Sequence, residues 1–460
     1  MKKQILSLLL LVGVVLSAFG GCGKSDNKKN SSDNSFTPVD YAAAVTLDLN
    51  STETKKETAT VKTYIDGDTT HFNVSSDEIK NSEGEILDVL KARYLAINTP
   101  ESTGKIEEWG KNASNFTKEK LKTASSIVLE TDGANWELDS TGGRHLVWVW
   151  YKPEGSTSYR NLNIEILQNG LAIASNSEGN RYGEICGKAI EQARQQKLHV
   201  YSGEKDPDFY YGDAQPMTLK ELRLNIDQYN GQKVAFEGVI TYLDDGGAYV
   251  ESFDEETSVW FGMYVYYGFS VNPFLQEVFI PGNRFRIVGT VSYWEAGDSY
   301  QVSGLEYNMR NPDDPNSCKL LDEEKHDAAN VETTLDTFYS KVEVSTEDAE
   351  TGDVTTTEHT YAALAVGSSI SMKNLKVVET YTTQSGDSKG AISITCEYGG
   401  KTIVVRTIVL KDTDGKVVTA DRFVGKTIDV TGIIDYFKLE YHETGSHQIK
   451  VFNISSITIR

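Results

Sequence analysis

The amino-acid sequence predicts a mainly β chain with some α-helix: a five-stranded barrel with helices, followed by two further small β-barrels. Three observations carry this expectation. From Ala59 to Tyr151, short runs rich in Val, Ile, Tyr and Thr are broken by turn signals such as Asp66-Gly67-Asp68 and Thr141-Gly142-Gly143, the pattern of successive short strands. Glu107 to Thr123 has helical spacing instead, with Trp109, Ala113, Phe116 and Leu121 able to share one face. The remainder is strand-rich and echoes itself: Gly282-Asn-Arg-Phe-Arg-Ile-Val-Gly289-Thr-Val-Ser-Tyr293 aligns with Gly425-Lys-Thr-Ile-Asp-Val-Thr-Gly432-Ile-Ile-Asp-Tyr436. A second Gln-led strand follows each copy, at Gln301-Val302 and Gln448-Ile449, so two copies of one five-stranded unit are the economical reading.

At the N-terminus, Lys2 and Lys3 precede the apolar run Ile5 to Phe19, and Gly20 and Gly21 stand directly before Cys22, the layout of a secretory signal over residues 1–22. Such a run is short for a membrane span. A cysteine in that place resembles the lipid-attachment residue of bacterial lipoproteins. The resemblance implies acylation of Cys22 and a membrane anchor on the extracellular face of the cytoplasmic membrane, with plain secretion as the alternative. Residues 23–56 are dominated by Ser, Asn, Asp, Lys and Thr and read as a flexible linker.

Folded domains are then expected at 57–205, 212–310 and 359–460, with an acidic linker over 311–358. Within the first, Leu162 to Gln168 and Glu184 to Gln196 read as helices, the former stopped by Gly170. A chain of 460 residues with 39% hydrophobic content supports about three domains. Its net charge of -22 argues against nonspecific coating of DNA. That charge is uneven: residues 57–202 hold 16 Lys and Arg against 21 Asp and Glu, whereas 203–310 hold 7 against 17. The first domain is therefore the one best able to approach a polyanion. Cys186, Cys318 and Cys396 are too far apart for a disulfide framework or zinc spacing and read as buried small hydrophobes or free thiols.

Asp66 and Asp68 flank a tight turn, from which alternate side chains can face one hard cation with oxygen ligands. Taken alone, such a turn is more often an ordinary hairpin. A following strand ends Lys91-Ala-Arg93-Tyr-Leu-Ala-Ile-Asn98-Thr99-Pro100-Glu101, and the chain continues with Trp109-Gly110-Lys-Asn-Ala113-Ser114-Asn-Phe116-Thr117, Asn169-Gly170-Leu171-Ala172 and Ala189-Ile-Glu191-Gln-Ala193. In this order the segments resemble the staphylococcal nuclease (thermonuclease) family, over about a third of the chain. The two later units resemble the oligonucleotide/oligosaccharide-binding (OB) barrel.

The nuclease resemblance implies calcium-dependent, sequence-nonspecific hydrolysis of phosphodiester bonds in DNA or RNA. Calcium would be held by Asp68, the side chain of Asn98 and the carbonyl of Thr99, with Asp66 behind them. Glu101 would be the general base, and Arg93 and Arg144 would grip the scissile phosphate. Asn98 stands where the family pattern has aspartate, which removes one negative charge from the ligand set. Arg144 follows Asp139-Ser-Thr-Gly142-Gly143, one residue longer than the family's Asp-x-Tyr-Gly-Arg and without its tyrosine. Asn176 and Glu178 replace the family's paired tyrosines, leaving Tyr182 as a candidate substitute. No organic cofactor is called for. The competing reading is a noncatalytic module for nucleic acid, glycan or protein, in which Trp260, Tyr264 and Tyr266, alternating onto one strand face with Trp294 beyond, either stack ligand rings or fill a core or interface.

Overall fold

The computed structural model describes residues 37–103, 106–244, 246–268, 278–308, 310–322, 324–347, 354–384, 388–438 and 445–460. The signal segment, Cys22 and residues 23–36 of the expected linker lie outside the described residues. The chain is mainly β and contains three closed five-stranded barrels.

The first is built from β1 (Lys56–Tyr64), β2 (Thr69–Asn73), β3 (Val89–Tyr94), β5 (Ala124–Glu130) and β6 (His145–Pro153), with the two-residue strands β4 (Ile97–Asn98), β7 (Arg160–Asn161) and β8 (Ile173–Ala174) beside it. The order β3-β2-β1-β5-β6 closes through a parallel pairing of β3 with β6, in which Ala92 faces His145. Alternation along β3 puts Leu90, Ala92 and Tyr94 inside and leaves Lys91 and Arg93 partly exposed. In β6, by contrast, Val147, Trp148, Val149 and Trp150 are all buried, because helices cover the outer face of that strand.

Those helices are α1 (Tyr41–Ala44), α2 (Gly110–Lys122), α3 (Leu162–Gln168) and α4 (Gly183–Gln196). Helix α2 begins three residues later than the spacing of Glu107 to Thr123 predicts, since Trp109 sits in the left-handed region at φ 68°. Helix α3 ends as expected at Gly170, whose φ of +68° favours glycine. Cys186 is buried on α4, and burial pushes its thiol up to about 12.

Residues 40–56, expected as the end of a flexible linker, are instead part of this domain. Ala42 of α1 is wholly buried and donates its N–H to Gln168 Oε1, Asp40 pairs with Arg160 at 2.7 Å, and Thr54 Oγ1 donates to the buried Glu130. Polar composition concealed the short apolar run Tyr41 to Val45, which needs α3 and α4 present before it has anything to cover.

The second barrel comprises β9 (Gln215–Pro216), α5 (Leu219–Leu224), β10 (Lys233–Asp244), β11 (Gly247–Asp254), β12 (Val259–Tyr266), β13 (Arg284–Trp294), β14 (Ser299–Ser303) and β15 (Lys319–Leu320). The third comprises β16 (Val331–Glu332), the hairpin β17 (Lys341–Glu347) and β18 (Val354–Thr360), then β19 (Ser369–Thr382), β20 (Ile392–Tyr398), β21 (Lys401–Thr407), β22 (Thr427–Phe437), β23 (Ser446–Val451) and β24 (Ile457–Ile459). Both barrels close by antiparallel pairing of the first long strand with the fourth, β10 with β13 and β19 with β22. The echo in the sequence falls on equivalent strands, β13 and β22. Its glycines do the same work in each. A Cβ at Gly289 would lie 2.7 Å from the Ser303 carbonyl oxygen and one at Gly432 would lie 2.4 Å from that of Lys450.

The acidic linker expected over 311–358 is likewise only partly a connection. Lys319–Leu320 pairs with β13, Val331–Glu332 pairs with β19, and the short helix Leu335–Phe338 places both terminal residues in the core. Cys318, Leu335 and Phe338 stand among polar residues, and the alternation of Val342 with Val344 is too short to announce a strand by itself. The second and third barrels share one apolar cluster. Between them, the buried Glu251 carboxylate accepts from Ser369 N, Ser369 Oγ and Ala329 N at 2.7 to 3.1 Å. Gly262 and Gly367 lie so close that a Cβ on the former would be 2.0 Å from the latter's carbonyl carbon.

Candidate active site

The hairpin joining β1 to β2 is the floor of the site. Ile65 and Asp66 both donate their N–H to the Thr69 carbonyl, which turns Asp66 and Asp68 inward, where they are 6% and 1% exposed. Gly67 between them is required for close approach. An added Cβ would stand 2.7 Å from Thr99 Cγ2 and 2.8 Å from Ala113 Cβ, while its carbonyl accepts from Thr117 Oγ1 of α2 at 2.7 Å. Gly67→Ala should therefore displace α2 from the turn and lower the thermal midpoint by several degrees, an effect of about 1–3 kcal/mol that thermal unfolding would read.

The strand β3 delivers Arg93 to the same place. Its guanidinium bridges two oxygens, Nη1 donating to Asp68 Oδ1 and Nη2 to Asn98 Oδ1. Asp68 Oδ2 accepts from Thr99 N at 2.9 Å, and Oδ1 also accepts from Thr69 Oγ1 at 3.0 Å. After β3, Ala96 adopts φ 68° and reverses the chain into β4, whose pairing with β8 places Asn98 opposite Ile173. Asn163, wholly buried on α3, secures that reversal: its Nδ2 donates to the Leu95 and Val147 carbonyls and its Oδ1 accepts from Val149 N. Glu101 follows Pro100. Its carbonyl accepts from Glu107 N and presses on Gly110, where a Cβ would be 2.2 Å from that oxygen.

Three carboxyl groups therefore converge with one arginine. Burial, then the charges of Asp68 and Glu101, push Asp66 up to about 8. Burial, then Asp68, raises Glu101 above the usual carboxylate range, although the residue as a whole is exposed at the rim. The consequence for stability has a definite sign. The unfolded chain releases the Asp66 proton near its ordinary value while the folded chain holds it to about pH 8, so stability falls as pH rises between the two. Asp66→Asn should flatten that decline and raise the melting temperature of the calcium-free protein at pH 8, measured by unfolding scans in chelator from pH 4 to 8.

The same crowding tests whether the residues fit calcium. Among the described residues no group of three or more His, Cys, Asp or Glu is arranged to hold a metal. The candidate ligands here are of another kind: one carboxylate, one amide oxygen and one carbonyl, with a second carboxylate behind them. The Thr99 hydroxyl is buried beside them with no hydrogen-bond partner. An excess of mutually repelling oxygens and an orphaned hydroxyl is a donor set suited to a hard cation.

Two expected residues are not brought into this group. Arg144 stands where β6 begins, one strand from Arg93, but its Nε donates to Asp139 Oδ2 at 2.7 Å across the longer loop. Tyr182 packs edge-on to Trp148 and Trp150 and donates to Glu130 Oε2, so it belongs to the packing of β5 and β6. Sequence reasoning missed Asn163 and Thr117. The signal for the first was a polar residue inside the apolar helix Leu162-Asn-Ile-Glu-Ile-Leu; the second closes the quoted segment Trp109 to Thr117, but nothing in the sequence pointed to its bond with Gly67.

On the second barrel, Phe261, Met263 and Val265 fill the core, and Trp260, Tyr264 and Tyr266 lie half-buried on the outer face. Tyr264 packs against Tyr249, which also meets Phe452 of the third barrel, as part of an interface.

Comparison with known families gives one finding. Residues 91–202 match the family described as Staphylococcal nuclease homologue. The matched segment begins on β3, two residues before Arg93, and runs to the end of the first domain; at family level the match supports a nuclease-like hydrolase.

Proposed function

We propose that the chain is a calcium-dependent nuclease that hydrolyses phosphodiester bonds of extracellular DNA or RNA without sequence preference, anchored to the membrane through Cys22. The observation that carries this reading is the convergence of Arg93, Asn98, Thr99 and Glu101, all within the segment that matches the nuclease family, on Asp68 of the preceding turn.

Asp68, the Asn98 side-chain oxygen and the Thr99 carbonyl would hold calcium, with Asp66 behind Asp68. Bound there, the ion would neutralise phosphate charge and favour approach of a water nucleophile. Arg93 turns its planar fork from Asp68 and Asn98 towards the phosphate oxygens, whose charge grows as the water oxygen bonds to phosphorus and the ester P–O bond breaks. Glu101 takes the proton from that water. Arg144 would join the phosphate grip through its Nη atoms while Asp139 holds Nε, or by leaving Asp139.

Asn98 sets the strength of the cation site. Asn98→Asp restores a negative ligand and should tighten calcium binding about ten-fold by calorimetry. The alternative, a binding module with a decayed nuclease domain, is favoured by the same asparagine and by the engagement of Arg144. Digestion of single-stranded DNA by the full chain, with calcium and with chelator, separates the two. Calcium-dependent cleavage supports the nuclease, and intact DNA at millimolar calcium overturns it.

A further inference from the structure

An open cleft of about 640 Å³ lies beside the loop that carries Glu101, within the range of about 300–1,000 Å³ usual for small-ligand sites. Its apolar lining is Pro100, Ile106, Trp109, Val200 and Phe209, each partly exposed. Pro100 directly precedes the candidate base. Glu107, also in the lining, is bonded to that base twice: Glu101 N donates to Glu107 Oε2 at 3.2 Å, and Glu107 N donates to the Glu101 carbonyl at 2.9 Å. One wall comes from residues 203–209, which lie beyond the segment matching the nuclease family and before the second barrel begins at Gln215. That wall is fixed to the start of α2. The buried Asp206 carboxylate accepts from Trp109 N at 2.6 Å through Oδ2 and from Asp208 N at 2.9 Å through Oδ1, and Asp206 N donates to the Tyr211 hydroxyl at 2.8 Å. Phe209 makes a T-shaped contact with Tyr211, ring centroids 4.9 Å apart, and Trp109 makes one with His199 at 5.1 Å. Trp109 also keeps φ 68°, a conformation that a bulky residue adopts only at a cost, and the bond to Asp206 holds it there.

The charges around the cleft narrow what it can hold. Among the described residues its lining carries Glu107, Glu108 and Glu204 against Lys205, whose ammonium already lies over the Tyr211 ring at 4.5 Å. Such a rim repels phosphate, which proteins grip with Lys and Arg. Aromatic and aliphatic walls instead suit an uncharged planar ring, and the carboxylates can accept from the amino groups of nucleobases. We propose that this cleft seats the nucleobase of a nucleotide next to the scissile phosphate, against Trp109 and Phe209, so that the segment following the nuclease domain supplies a base subsite to it. The inference rests on the nuclease reading above. It divides the work, with phosphate at Arg93 and the adjoining base in the cleft, and it gives Phe209, outside the family match, a part in substrate binding.

The test uses the full chain in millimolar calcium, in a Glu101→Gln background. Kd for a labelled single-stranded oligodeoxynucleotide is read by anisotropy, beside Kd for the same sugar-phosphate strand made abasic. Phe209→Ala should raise Kd for the base-bearing strand about ten-fold and leave the abasic Kd unchanged, and Phe209→Trp should keep the parent affinity. Ile106→Asp adds a charge to the cleft while leaving the Asp206 and Tyr211 contacts in place, and should weaken the base-bearing strand in the same direction. Should thermal unfolding show that Phe209→Ala does not fold, Ile106→Asp decides by the same criterion. An unchanged Kd for the base-bearing strand overturns the proposal, as does an equal loss on the abasic strand or a parent chain that binds the two strands equally. Failure of the nuclease reading looks different: no turnover by the chain that keeps Glu101, with a Kd that still depends on Phe209 and on the base.

Discussion

Glu101→Gln should lower turnover on single-stranded DNA by about 10² to 10⁴ while leaving the fold intact. The amide keeps the size of the carboxylate and cannot accept the water proton. The backbone of Glu101 does the structural work, through its carbonyl bonded to Glu107 N and packed on Gly110, and the substitution leaves both untouched. Thermal unfolding should therefore be unchanged or slightly improved, because the variant removes one of three crowded carboxyl groups. Single-turnover cleavage measures the step directly. Turnover equal to the wild type would remove Glu101 from the mechanism.

Arg93→Lys separates phosphate grip from cation binding, because the two should move in opposite directions. A lysine is a single point donor and cannot span Asp68 Oδ1 and Asn98 Oδ1, nor present a planar fork to phosphate oxygens. Loss of a transition-state donor of this kind costs about 10² to 10³ in turnover. Calcium affinity should hold or rise, since the two oxygens freed from the guanidinium are candidate ligands for the ion. Calorimetry with calcium beside steady-state kinetics checks both; a parallel fall of affinity and turnover would show that Arg93 chiefly organises the ligand oxygens. Arg93→Ala is the harsher variant, for it leaves Asp68, 1% exposed, with Thr99 N and Thr69 Oγ1, among the described residues, to answer its charge.

Much of this arrangement is legible in the amino-acid sequence. The period-two runs, the turn at Asp66-Gly67-Asp68 and the stop at Gly170 are local, so composition and spacing report them directly. The echo between β13 and β22 was also visible, because equivalent strands in two copies of one barrel face the same steric demand at Gly289 and Gly432. Boundaries fared worse. The linker expectations at 23–56 and 311–358 failed where a few apolar residues, Ala42, Leu335, Phe338 and Val344, are buried only against elements distant in the chain.

The sequence by itself determined the strands, their turns, the repeated barrel and the residue types near Arg93 and Glu101, since each is fixed by steric preference and polarity within a few residues. Only the tertiary structure decided which of those groups meet. Arg93 reaches Asp68 across 25 residues and Thr117 reaches Gly67 across 50, whereas Arg144, expected beside them, is held by Asp139 five residues away. Lys118 of the first domain meets Glu295 of the second barrel across 177 residues. Such contacts depend on how closed sheets pack against helices and one another, and no period in the chain encodes that distance.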